Sequence, residues 1–147
     1  MRLRPGAPIP DRDDHAIPGA HPVTPPQALA GLLRSHAAGL LADTAAVDLL
    51  IGHRYWLARP AFTARFVHPV SAAAGAQPTG AYIDWWDAIT ALGRGELPCS
   101  GSEADMLRIA ASLGAELPIT LRQVLGCLDH TNITAVTTAI TAANGTQ

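Results

Sequence analysis

Six histidines, His15, His21, His36, His53, His68 and His130, are the side chains best suited to hold a metal or move a proton near neutral pH. Their spacing offers no metal frame. No two stand four residues apart on an expected helix and no His-Glu-x-x-His run occurs, so imidazoles are not paired on one helix face. His36 falls on a leucine stripe and reads as a core residue. Asp129-His130 sets an acid beside an imidazole, but neighbours at a helix start point apart and no Ser or Cys nucleophile is fixed next to them. Arg54 with Asp84 or Asp87 reads as a partly buried ion pair with a structural role. Cys99 and Cys127 belong to no CxxC pair and read as small buried hydrophobes. No catalytic residue, metal ligand or cofactor is assigned.

All 10 basic residues are Arg. Without Lys there is no Schiff-base nucleophile and no phosphate-loop amine. A net charge of -2 supplies no cationic face for a phosphate backbone or an anionic membrane, so nucleic acid and membrane are unfavoured partners. The start, Met1-Arg-Leu-Arg-Pro-Gly, lacks the apolar run of a secretion signal, and Asp43 and Asp48 interrupt the most apolar later stretch. A soluble cytoplasmic protein is expected.

Residues 1–23 are broken by Pro5, Pro8, Pro10, Pro18 and Pro22 and read as a disordered arm, followed by one helical domain over 24–145 and a tail at 146–147. With few aromatics and abundant Ala, the fold class is all-α, a bundle of about five to six short helices. Thr24-Pro-Pro-Gln27 reads as a capping box opening a helix to about Ala42, with Leu29, Leu32, Leu33, His36 and Leu40 inward. A second helix starts at Asp43 or Thr44 and stops before Pro60; it is apolar all round and so central, with Gly52 expected where another helix crosses closely. Pro60–Val67 reads as a short helix or a strand carrying Phe62 and Phe66, and His68 to Gly80 as a loop.

Asp84 caps a fourth helix that places Trp86 at the edge of its buried face. Ser100-Gly-Ser-Glu103 is a second capping box, opening a helix with Asp105 on its polar face and Gly114 as its stop. Thr120-Leu-Arg-Gln123 is a third, and Asp129 caps a last helix with Ile133, Val136 and Ile140 inward. The turn at Leu97-Pro-Cys-Ser-Gly-Ser-Glu103 resembles the signature of ABC-type ATPases only superficially, since no phosphate-binding loop and no Lys accompany it.

The stretch Trp85 through Pro98-Cys-Ser-Gly-Ser-Glu, Leu107-Arg-Ile-Ala-Ala-Ser-Leu113, Pro118-Ile-Thr-Leu-Arg122, Leu128-Asp129, Asn132 and Ala142-Ala-Asn-Gly145 resembles a group of small uncharacterised actinobacterial all-helical proteins. The resemblance covers the C-terminal half and implies no activity and no site residues.

The last helix opposes its apolar face with Thr134, Thr137, Thr138 and Thr141, where a surface helix normally carries charge. An uncharged face of this kind can pack on another protein or a second copy of the chain, with Trp86 a further candidate contact. The expected function is thus a non-catalytic accessory or protein-interaction domain. The alternative is a DNA-associated regulator using the helix pair 120–145, although its second helix lacks Arg.

Overall fold

A computed structural model describes residues 24–145. The expected N-terminal arm and the tail lie outside the described residues. The fold is helical, with one small hairpin of strands.

Helix α1, Pro26–Ala37, begins at the second of the two prolines: Pro25 holds the N-cap position, so the Thr24 capping box does not form. Helix α1 also ends earlier than Ala42. Gly39 takes φ +91, a conformation that side chains disfavour, and this break turns Leu40 out to solvent. Leu29, Leu33 and Ala37 are buried, while His36 is exposed rather than part of the core.

Helix α2, Leu41–His53, packs against α1 and two later helices, and buries Ala45, Ala46, Val47, Leu49 and Leu50. It is central, as its all-round apolarity requires. No helix crosses at Gly52, which is exposed with nothing within 4 Å of where a Cβ would stand. Arg54 closes α2 in the left-handed conformation, φ 59, with its N–H donating to the Leu50 carbonyl. A 3-10 turn, Trp56–Ala58, and helix α3, Pro60–Phe66, follow. Trp56, Phe62 and Phe66 are fully buried and stack in sequence, with centroids 5.2 Å apart at each step.

Strands β1, Val67–Ser71, and β2, Pro78–Ile83, pair antiparallel where a loop was expected. Their register sets Val67 against Ile83 and His68 against Tyr82. Pro69 is tolerated because β1 has only one neighbour, so one of its edges needs no N–H. Helix α1 lies close on β2. A Cβ at Gly80 would come 3.2 Å from the Cβ of His36, which explains the small residue at that position.

Helix α4, Trp85–Gly93, is capped by Asp84, whose carboxylate accepts from the Asp87 N–H at 3.0 Å. Helix α5, Gly101–Ala115, opens with the Ser100/Glu103 capping box, both bonds present. Asp105, expected on a polar face, is buried and paired with Arg108 at 2.9 Å. Gly114 does not stop α5; Glu116, φ 56, does. Helix α6, Leu121–Leu125, receives no side-chain cap from Thr120, and α7, His130–Ala143, is capped by Asp129 through the Asn132 N–H at 2.8 Å.

Candidate interaction surface

Helix α7 packs on α2 and α5, and α6 on α5. The inner side of α7 is Val136 and Ala139, a close contact that selects a small residue, so Ile140 is turned outward and is 52% exposed instead of buried. On α6, five residues long, only Val124 is buried; Leu121 and Leu125 stay 61% and 42% exposed. Three large apolar side chains thus stand at the surface on two adjacent elements.

Between α5, α6 and α7 runs a groove of about 370 Å³. Ile109 and Leu113 form its floor on α5, Leu121 and Leu125 one wall, and Ile133 and Ile140 the other. Its remaining lining includes Thr137 and Ser112, and no charged side chain is among the described residues that line it. At 100° per residue, Thr141, Thr134 and Thr138 continue the face of Thr137 around the outside of α7.

Each of these threonines donates its hydroxyl proton to the carbonyl four residues back: Thr134 to His130, Thr137 to Ile133, Thr138 to Thr134 and Thr141 to Thr137, all at 2.9 Å. Their hydrogen-bonding demand is met inside the helix, and what they offer outward includes a row of methyl groups. Covering this face strands no hydroxyl proton and no charge.

Trp86 is 65% exposed on α4 but does not line the groove. Arg54 is exposed, and the ion pairs among the described residues are Arg34–Asp48, Arg65–Glu96 and Arg108–Asp105. The expected pairing of Arg54 with Asp84 or Asp87 is not formed: Arg54 ends α2 at the surface, and Asp84 is engaged as a helix cap. Cys127 is exposed and Cys99 half-buried, so the two cysteines are not simply core residues.

A group of ionisable side chains gathers at the start of α5. Arg59 donates to the Tyr55 hydroxyl at 3.0 Å and the Pro98 carbonyl at 2.9 Å, while Trp56 Nε1 donates to the Glu103 carbonyl at 2.9 Å. The Ser100 N–H holds the Glu103 carboxyl below its ordinary value, with the Tyr55 hydroxyl and His53 assisting. Burial pushes the Cys99 thiol up, and the Tyr55 phenol up as well. The hydrogen bonds of Arg59 and Trp56 fasten the α2–α3 connection to the cap of α5. His53 is lowered by burial, against the opposing fields of Glu103 and Asp129, and its Nδ1 is buried with no hydrogen-bond partner among the described residues.

No group of three or more His, Cys, Asp or Glu side chains among the described residues could hold a metal, and no helix there is long and apolar enough to cross a membrane. No protein-family model, curated protein or solved structure matches this chain.

Proposed function

We propose that this chain is a non-catalytic protein-interaction domain that self-associates, the occupant of the α5–α6–α7 groove being the same face of a second copy. The observation that carries this reading is the uncharged groove bordered by exposed Leu121, Leu125 and Ile140 and by threonines already hydrogen-bonded within α7. A twofold interface packs residue i of one copy on residue j of the other, so a charge in it needs an opposite charge within the same patch, and an uncharged patch has no such requirement. This face carries a hollow and protruding side chains together, and the described residues that line the groove bring no charge to repel its mate.

Magnitude sets the regime. Each half-exposed Leu or Ile gains on the order of 1 kcal/mol on full burial, and three per copy contribute about 6 kcal/mol in a dimer. Association itself costs about 4–15 kcal/mol. The threonine methyls and half-buried Ile133 must add to that gain, and the dimer is therefore weak and concentration-dependent.

Size exclusion with light scattering at several loading concentrations tests the reading. The wild type shifts from monomer to dimer as concentration rises; Thr137→Glu with Thr141→Glu stays monomeric with unchanged helical circular dichroism. A wild type that is monomeric at every concentration overturns self-association, and a groove filled by a different protein is then the outcome to pursue.

A further inference from the structure

A second hollow, of about 190 Å³, lies away from this face, where α1, α2, β2, α4 and α5 meet. Leu33, Val47 and Ile83 give it apolar walls. His36, Asp43, Tyr82 and Trp85 bring polar atoms to the same space.

Asp43 and the Trp85 N–H have no hydrogen-bond partner among the described residues. Asp48, Glu96 and Asp105 are paired with arginines, and Asp84, Glu103 and Asp129 accept from backbone N–H groups. Asp43 is the half-buried carboxylate with no cation and no donor among the described residues. The two buried or half-buried indoles show the same contrast. Trp56 Nε1 has the Glu103 carbonyl, whereas Trp85 Nε1 has no acceptor among the described residues and lies against Gly114 on the wall of the hollow. Both groups open to solvent in the hollow, so a ligand entering it can bond to them without displacing a protein partner among the described residues.

The lining also fixes the sign of that partner. Asp43 is its one acidic side chain and no Arg is present, while Trp85, Tyr82 and His36 contribute rings. Tyr82 is held in place between His36 and His68, at centroid distances of 5.7 and 5.3 Å. A carboxylate beside aromatic rings attracts an organic cation, by ion pairing and through the ring faces. The hollow is small and open on one side, so a compact ligand suits it best. A hydroxyl or similar acceptor on it would meet the Trp85 N–H.

We propose that the junction of α1, α2, β2, α4 and α5 is a binding site for a small alkylammonium ion, with Asp43 as counter-ion, Trp85 and Tyr82 as ring contacts and the Trp85 N–H as donor to a ligand oxygen. This site is independent of the α6–α7 surface.

The test is a titration of the full chain followed by two-dimensional nuclear magnetic resonance, observing the Trp85 indole N–H identified through Trp85→Phe. Ethanolamine shifts that signal saturably, and propionate, of similar size and opposite charge, does not. Asp43→Asn keeps its helical circular dichroism and weakens ethanolamine about tenfold or more, the loss of one ion pair. Tyr82→Leu, at an exposed position, weakens it without touching the carboxylate. Tetramethylammonium separates the two contributions: tight binding marks ring contacts as dominant, and weak binding with tight ethanolamine marks the carboxylate. Absence of a saturable shift with either cation overturns the proposal, as does binding unchanged in Asp43→Asn.

Discussion

The indole of Trp85 occupies the space that a side chain on Gly114 would need: a Cβ built there would stand 2.6 Å from Trp85 Nε1 and 2.8 Å from Cε2. Helix α4 can lie this close to α5 only over a glycine. Alanine normally gains about 1 kcal/mol over glycine inside a helix. Gly114→Ala nonetheless lowers stability, by about 1–3 kcal/mol, because the indole must move. Gly52→Ala, in α2 with open space around it, raises stability by up to about 1 kcal/mol. Urea denaturation of the two variants checks the pair; equal signs would show that the Trp85–Gly114 contact is not tight.

Leu50 is fully buried in α2, while its neighbour Ile51 is half-buried. Leu50→Ala leaves a cavity on every side and costs about 2–5 kcal/mol, and Ile51→Ala costs less. Thermal melts read the order, and a reversed order would mean that α2 is rotated from the position described.

His53 is lowered below its ordinary 6.5 by burial, so the folded state favours the neutral ring more than the unfolded state does. Its contribution is complete above 6.5 and is lost as pH falls through the lower folded value. Denaturation midpoints measured from about pH 7.5 to about pH 5.5 therefore decline in the wild type and decline less in His53→Gln. Identical slopes would remove His53 as the cause. Glu103 acts further into acid: held below 4.5, it stabilises the fold above that value and ceases to as the carboxyl protonates.

Some features written in three or four consecutive residues were legible in the sequence, although the boxes read at Thr24 and Thr120 do not form because neither side chain bonds the helix start. Asp84, Ser100 and Asp129 cap α4, α5 and α7 because each side chain reaches an N–H a few residues on. The β1–β2 hairpin was not, since its segments contain Pro69, Gly80 and Ala81 and show no strong alternation; what makes β2 a strand is the α1 helix lying on it. Ile140 was placed inward on hydrophobicity, yet the tight packing of α7 chose Ala139. The threonine face could be named from the sequence. The groove beside it could not, because Ile109, Leu121 and Ile133 come together only once α5, α6 and α7 are packed.

Self-association through α6–α7 is tested most directly by opposite charges at Ile140, which is exposed on the rim of the groove. Sedimentation equilibrium is run on the wild type, on Ile140→Glu, on Ile140→Arg and on an equimolar mixture of the two variants at low salt. The wild type dimerises and each variant alone is monomeric because its charge would be buried unpaired in an apolar interface; a mixture that recovers dimer, dissolving as salt is raised, would further place Ile140 beside its own copy at the twofold axis. A wild type that remains monomeric, or variants that dimerise as well as the wild type, contradicts the account.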